Sequence, residues 1–237
     1  MSAAVLEFAG ASKAYGGLRP LRIAELRVHA GDTVALLGFD QPTAEVFVNL
    51  ATGATLPDAG EVSIFGLPTR AIEDSADWLA TVDRFGIVSE RAVLLDALTV
   101  IQNLAMPFTL EIEPPPDAVR LRAEALARDV GLPEVSWGRP VSELDAAGVL
   151  RVRAGRAMAL DPAIVLFEHA SARLPREEVA AVGTELRAVA ARRGIALLAL
   201  SADEAFATAV ATRVLTLEPA TGRLKPQRRW FRGLGAP

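Results

Sequence analysis

Three short, uninterrupted aliphatic runs constrain the fold of this chain more than any other feature of its sequence. They cover Thr33 to Leu37, Ala163 to Phe167 and Ile195 to Leu200, and each is followed by a turn or by a helical pattern. Strands that are covered by helices on both faces have this uniformly apolar composition, and they occur mostly in parallel sheets. We therefore predict an α/β fold with a mainly parallel central sheet.

The other segments add an antiparallel β layer and a helical subdomain. Residues 3–17 and 21–32 alternate with period two, and residues 61–65 continue that pattern. Apolar spacing predicts an amphipathic helix from Asp117 to Leu132 that stops at Gly131, after a linker with three consecutive prolines. We predict one domain over residues 1–224, with a helical subdomain at about 92–140 and a C-terminal tail at 225–237.

The composition excludes several classes of function. The chain has no cysteine and two histidines, so we expect neither disulfides nor a thiolate or multi-histidine metal site. Its net charge of −4 gives no basic footprint for nucleic acid. The longest apolar runs are far shorter than a bilayer span, and the first ten residues do not form a signal peptide. These features predict a cytoplasmic protein.

The segment after the first buried strand has the layout of a phosphate-binding P-loop without its chemistry. In the motif G-x-x-x-x-G-K-[ST], backbone N–H groups face the phosphates, the lysine neutralises them and the hydroxyl binds Mg²⁺. Aligned on Gly38, the last three positions hold Thr43, Ala44 and Glu45. We expect ATP and Mg²⁺ to bind weakly at best, and Glu45 or Asp40 to interact with the positive end of the following helix.

The order of segments resembles the nucleotide-binding subunit of ATP-binding cassette (ABC) transporters, to about Leu224. SKAYGG at residues 12–17 matches that family's adenine-stacking segment, and LDAAGVLRVRAG at 144–155 is similar to its signature helix. AIVLFEHA at 163–170 and LLALSAD at 197–203 resemble its Walker B and switch-histidine strands. The resemblance implies a P-loop NTPase-like fold, a homo- or heterodimer of ATP-binding subunits, and a location at the inner membrane face through a permease subunit.

The resemblance also assigns positions in this sequence to a degenerate nucleotide site and a degenerate signature motif. The nucleotide-site positions are Tyr15, Gly38, Phe39, Asp40, Gln41, Pro42, Thr43, Ala44, Glu45, Val46 and, at the family's glutamine loop, Glu90. The signature positions are Leu144, Asp145, Ala146, Ala147 and Gly148. Asp145 would bring a carboxylate to a γ-phosphate, and it is independently favoured as a helix cap.

The catalytic positions implied by the resemblance are substituted as well. Glu168 stands where the family has the aspartate that organises Mg²⁺, and His169 replaces the glutamate that polarises the attacking water. Histidine can act as a base near neutral pH, although a lone histidine after a buried strand is more often structural. Ala202 occupies the position of the switch histidine, so the γ-phosphate sensor is missing.

Three hypotheses about function follow from these residues. The first is a transporter cassette subunit with weak or lost nucleotide binding and hydrolysis, coupled to a permease through the groove near Glu90 to Thr99. The second is an active ATPase that uses Glu168 and His169, and the third is a soluble scaffold or regulatory protein unrelated to transport. The basic, aromatic tail at residues 227–235 is interpreted as a disordered terminus, and a contact with anionic lipid or a partner is the alternative.

Overall fold

A computed structural model of the chain describes residues 4–227, which contain ten strands and seven α-helices. The strands are β1 (Ala4–Lys13), β2 (Leu21–His29), β3 (Thr33–Leu37), β4 (Ala59–Ile64), β5 (Leu67–Pro68), β6 (Phe85–Val88), β7 (Ile164–Glu168), β8 (Ala196–Ser201), β9 (Arg213–Glu218) and β10 (Arg223–Pro226). The α-helices are α1 (Gln41–Ala51), α2 (Ser75–Val82), α3 (Val100–Ala105), α4 (Asp117–Asp129), α5 (Ala146–Ala157), α6 (Val179–Arg192) and α7 (Glu204–Val210).

The predicted parallel sheet is confirmed. Its strand order is β10-β9-β3-β8-β7-β6, and every neighbouring pair is parallel except β10 with β9. The three aliphatic runs form the adjacent central strands β3, β8 and β7, in which every residue is buried. Strands β7 and β8 each begin and end one residue later than the apolar runs predict, so Glu168 and Ser201 are their last residues.

Successive side chains of these strands enter two separate apolar cores. In β3, Ala35 and Leu37 face one core, whereas Val34 and Leu36 face the other. Strand β7 divides in the same way, since Val165 and Phe167 join the first core and Ile164 and Leu166 the second. Because both faces of the sheet are covered, no position in these strands favours a polar residue, which explains their uniform composition.

The antiparallel layer is also confirmed. Its strand order is β2-β1-β4-β5, and all three pairings are antiparallel. The second core, which includes Phe8, Ile23 and Phe47, lies between this layer, helix α1 and the parallel sheet. Helix α1 is therefore fixed against both sheets.

Helices α3, α4 and α5 pack against one another beside the parallel sheet. The predicted helix ends at Asp129, two residues before Gly131, which has the left-handed φ of 75° expected at a helix stop. Strand β6 approaches α5 so closely that a Cβ on Gly86 would lie 2.2 Å from the carbonyl oxygen of Ala157. This contact fixes α5 relative to the segment that follows β6.

Two further predictions concern membranes and the C-terminus. Within residues 4–227, no helix combines the length and the apolar character needed to cross a bilayer. Lys225 and Pro226 complete strand β10, so they do not belong to the predicted tail. Residues 228–237, which make up most of the basic aromatic segment, lie outside the described part of the chain.

Candidate functional site

Helix α1 begins at Gln41, inside the segment where a P-loop would still be a loop. Asp40 is its N-cap, because Oδ1 of Asp40 accepts a hydrogen bond from the backbone N–H of Thr43 at 2.9 Å. The Thr43 hydroxyl accepts one from the Asp40 N–H at 2.9 Å, which completes a capping box. Of the two carboxylates expected at this helix end, Asp40 is the cap and Glu45 is not.

Two backbone N–H groups in the first turn of α1 are already bonded to Asp40. Thr43 donates its N–H to the Asp40 side chain, Ala44 donates to the Asp40 carbonyl at 2.9 Å, and Pro42 has no N–H. Hydrogen bonds from Thr43 hold the pKa of Asp40 below its ordinary value. Asp40 is therefore an anion at neutral pH, and it occupies the positive end of the helix where a phosphate would bind.

The residue at the lysine position of the P-loop has its side chain in the protein interior. Ala44 is completely buried in the second core, together with Phe39 and Phe47. The rings of Phe39 and Phe47 pack edge to face at 5.6 Å, and Phe47 stacks on Phe8 at 4.7 Å. Val46 is half-buried and packs against the same cluster. The start of α1 is thus held by apolar packing as well as by its cap.

Glu168, at the end of β7, carries a completely buried carboxylate that is bound by two other side chains. Nε2 of Gln41 donates to its Oε1 at 2.5 Å, and a terminal guanidinium nitrogen of Arg91 donates to its Oε2 at 2.6 Å. The other terminal nitrogen of Arg91 lies 2.8 Å from Oε1 of Glu45. We call these four side chains the Arg91 network.

The residues present do not fit a magnesium nucleotide. Three carboxylates lie around the start of α1: Asp40 caps the helix, and Glu45 and Glu168 both bind the guanidinium of Arg91. MgATP needs cationic and N–H partners for its phosphates, and Ala44 at the lysine position provides no charge. Both oxygens of Glu168 already accept hydrogen bonds from protein groups. A metal at this carboxylate would first have to displace Arg91.

His169 has an unusual backbone and an unsatisfied ring nitrogen. Its φ of 46° is left-handed, and its N–H donates to the Leu200 carbonyl at 2.9 Å across the end of the sheet. Its Nε2 is buried, and no hydrogen-bond partner lies among the described residues. At the switch position, Ala202 exposes only a methyl group, next to Ser201, whose hydroxyl accepts from the Asp203 N–H at 2.9 Å.

Glu90 and Tyr15 lie outside the Arg91 network. Glu90 is exposed and forms an ion pair with Arg173 at 2.7 Å. Tyr15 is half-buried beside a cavity of about 200 Å³ that Gly38, Asp40 and Thr43 also line. Burial and the charge of Asp40 raise the pKa of the Tyr15 hydroxyl.

The signature positions form the start of helix α5. Asp145 is the N-cap, and its Oδ1 accepts a hydrogen bond from the Gly148 N–H at 2.7 Å, so its predicted capping role is confirmed. Ala146, Ala147 and Gly148 form the first turn of the helix, and half-buried Leu144 packs against the first core. A carboxylate therefore occupies the N-terminus of this helix as well.

Sequence reasoning missed Arg91. Neither lysine of the chain replaces the P-loop lysine, because Lys13 pairs with Asp58 at 2.8 Å and Lys225 with Glu218 at 2.8 Å. One signal was present, because a carboxylate at the end of a buried strand requires a partner. Arg91 is the only basic residue between β6 and α3.

No protein-family model matches the sequence of this chain. The methionine import ATP-binding protein MetN of Myxococcus xanthus is 31% identical over 228 residues, which cover 94% of this chain and 67% of that protein. MetN of Brucella abortus is 26% identical over 218 residues, which cover 92% of this chain. The chain therefore spans only 58% of that relative's length.

Solved structures agree with these relatives. The structure of cbiO1 from Clostridium perfringens, described as part of the ABC transporter complex cbiONQ, has a TM-score of 0.78 at 17% identity. The structural match covers 93% of this chain and 86% of the cbiO1 chain. The dimeric ATP-binding cassette MJ0796 bound to ADP and Pi has a TM-score of 0.74 at 20% identity, covering 94% of this chain and 99% of its own.

The two sheets, the helix after β3 and the helical layer give this chain the fold of the ATP-binding cassette domains in these solved structures. This fold and the sequence relatives together assign the chain to one protein family. The chain belongs to the ATP-binding subunits of ABC transporters.

Proposed function

We propose that this chain is a cassette subunit that couples to a membrane permease while binding and hydrolysing ATP weakly or not at all. The observation that carries the proposal is the Arg91 network, in which Gln41 and Arg91 bind both oxygens of the Glu168 carboxylate. Asp40 supports it, because its carboxylate lies at the start of α1 and accepts a hydrogen bond from the Thr43 N–H. These contacts replace those that a phosphate and its metal would make.

The permease partner, the paired cassette and the location at the inner membrane face are parts of the same proposal. Relatives are named ATP-binding proteins for import, and the structural neighbour cbiO1 is described as part of a transporter complex. In this chain the segment from Glu90 to Thr99 carries the exposed side chains of Val93 and Leu95. We propose that residues 92–140 form a helical subdomain. We expect the segment from Glu90 to Thr99 to be the permease contact.

Nucleotide binding is tested by thermal unfolding of the full chain with and without MgATP. A ligand at 100 times its Kd stabilises a protein by about 2.7 kcal/mol, and we expect no such shift at millimolar MgATP. ATP turnover should equal the rate measured without Mg²⁺. A saturable, Mg²⁺-dependent increase in stability would contradict the proposal.

One observation favours the second hypothesis, that of an active ATPase with altered residues. The buried Nε2 of His169 has no hydrogen-bond partner among the described residues, and an unpaired imidazole nitrogen can accept a proton from water. Mg²⁺-dependent turnover that disappears in His169→Ala, but persists in His29→Ala as the matched control, would establish this function. Membership of the transporter family favours both of these hypotheses over a scaffold unrelated to transport.

A further inference from the structure

An open cavity of about 640 Å³ lies between the edge strands of the two sheets. Its walls come from residues 24–29 of β2 and residues 223–226 of β10, and Arg213 and Leu215 of β9 complete the lining. Three strands separate β10 from β7 in the parallel sheet, and no lining residue belongs to the Arg91 network. The cavity is therefore separate from the nucleotide-site positions.

Positive charge dominates the lining of this cavity. Four of its side chains are permanent cations, and they face one carboxylate, that of Glu25. The cations are Arg27, Arg213, Arg223 and Lys225. Because the chain as a whole has a net charge of −4, this excess of positive charge is a local feature.

Nearby carboxylates pair with Arg27 and Arg213 but leave part of each guanidinium open. Nε of Arg27 lies 2.8 Å from Glu7, and one of its terminal nitrogens lies 3.7 Å from Glu25. One terminal nitrogen of Arg213 donates to the Arg27 carbonyl at 2.5 Å and lies 3.8 Å from Asp32. Both side chains are about half exposed, and within residues 4–227 the second terminal nitrogen of each has no ion-pair partner.

Arg223 is the cation with the least compensation. Its neighbour Lys225 forms an ion pair with Glu218 at 2.8 Å, whereas Arg223 pairs with no carboxylate of the described chain. The hydrogen bond from Lys225 lowers the pKa of Glu218, and the charge of Arg223 adds to that shift without an ion-pair contact. An anion that enters the cavity would therefore find the Arg223 guanidinium available.

Leucine side chains supply the apolar part of the lining. Leu26 is buried, and Leu215 and Leu224 are half-buried against the second core. A ligand in this cavity would contact hydrocarbon as well as guanidinium groups. An organic anion with an apolar body uses both kinds of contact, whereas an inorganic anion uses only the charges.

The hydrogen bonds around the cavity favour a small molecule over an added β-strand. A strand that joins a sheet edge needs the free N–H and C=O groups of that edge. The Ala24 N–H already donates to the Gly222 carbonyl at 2.8 Å, and the Arg27 carbonyl already accepts from Arg213. Residues 228–237 contain three arginines and no acidic side chain, so charge also disfavours the chain's own C-terminal segment as the occupant.

We propose that this cavity binds a small organic phosphate monoester with an apolar body, and that Arg223 makes the main contact with the phosphate. A phosphate monoester carries about two negative charges and three acceptor oxygens, which suits several cations better than a single carboxylate does. Arg27 and Arg213 contribute their open terminal nitrogens, and Leu215 and Leu224 contact the apolar body. This site goes beyond the proposed function and does not depend on it.

Three probes test the proposal on the full chain: 1-naphthyl phosphate, 1-naphthol and inorganic phosphate. Binding is measured by isothermal titration calorimetry with EDTA present, so that a magnesium nucleotide site cannot contribute. We expect 1-naphthyl phosphate to bind about tenfold more tightly than either of the other probes, because only this probe uses the guanidinium groups and the leucines together. High salt should reduce this preference over 1-naphthol.

A matched pair of variants tests the role of Arg223. Arg223→Gln should weaken 1-naphthyl phosphate about tenfold and leave 1-naphthol unchanged. Arg192→Gln is the control, because it removes an exposed arginine of α6 that lies outside the cavity and donates to the Asp129 carbonyl at 3.1 Å. It should leave the affinity for 1-naphthyl phosphate unchanged. Circular dichroism and thermal unfolding confirm that both variants are folded.

Several outcomes overturn the inference. Equal binding of 1-naphthyl phosphate and 1-naphthol would show an apolar site without phosphate recognition, and binding that survives Arg223→Gln would refute the role of that residue. Absence of binding by every probe at millimolar concentration refutes the site. Vesicles that contain phosphatidic acid distinguish a lipid source: Arg223-dependent binding to them without binding of 1-naphthyl phosphate would identify a membrane surface as the occupant.

Discussion

Replacing Arg91 by alanine is the most direct test of the idea that the protein fills its own nucleotide site. The substitution removes the guanidinium that binds Glu168 at 2.6 Å and Glu45 at 2.8 Å. Glu168 then keeps only the hydrogen bond from Gln41, although its carboxylate is completely buried. A buried charge that loses its partner is strongly destabilising.

The size of the effect follows from the exposure of the three side chains. Breaking a buried ion pair costs about 3–5 kcal/mol, and the lower end applies because Arg91 is 44% exposed and water can enter after its removal. The exposed pair with Glu45 adds only about 0.2–1 kcal/mol. We therefore expect Arg91→Ala to lower the free energy of unfolding by about 3 kcal/mol, which in a chain of this size lowers Tm by about 6–12 °C.

Urea denaturation of a double-mutant cycle separates the two pairs. The coupling energy between Arg91→Ala and Glu168→Gln should exceed that between Arg91→Ala and Glu45→Gln, because only Glu168 is buried. Arg173→Ala is the matched control, since it removes an arginine that pairs with exposed Glu90 and should cost less than about 1 kcal/mol. A loss below about 1 kcal/mol for Arg91→Ala, or equal couplings, would refute the reasoning.

Three further predictions concern the helix starts. Asp40→Ala should lower the free energy of unfolding by about 1 kcal/mol in urea denaturation. Because the pKa of Asp40 is lowered in the folded protein, its electrostatic contribution to stability is present above its ordinary pKa of 3.8 and is lost as the pH falls through the folded value. The variant should therefore lose less stability than wild type over that acid range. Ala44→Lys should lower Tm without producing any MgATP-dependent stabilisation, because Ala44 lies in the apolar core; a gain of MgATP binding would show that the missing lysine alone prevents it. Asp145→Ala should also cost about 1 kcal/mol through loss of the cap to Gly148, whereas Asp145→Asn should restore most of it, and equal losses in both would contradict a capping role.

The parts of the fold that follow a local pattern could be predicted from the sequence. The central strands were recognised because covered strands have no polar positions, and the boundaries of β7 and β8 were misplaced by one residue where Glu168 and Ser201 end them. Those end residues are polar, so the apolar pattern could not include them. Gly131 marked the stop of α4 because only a residue tolerant of positive φ fits there.

The site was predicted less completely, because its chemistry depends on contacts between distant segments. The cap by Asp40 is a local interaction over three residues, and the sequence included it among two alternatives. The bond between Arg91 and Glu168 spans 77 positions, and the one between Gln41 and Glu168 spans 127. Motif comparison showed which family residues were missing, but it could not show which side chain had taken their place.

These contacts also explain why the substitutions occur together. A carboxylate at the start of α1 requires that no phosphate compete for the same N–H groups, and a buried glutamate at the end of β7 requires a cation when no metal neutralises it. Arg91 provides that cation from the segment between β6 and α3. The Arg91 network therefore connects the start of α1 and the end of β7 to that segment by direct side-chain bonds. A protein with this arrangement holds the segment in place through its own residues.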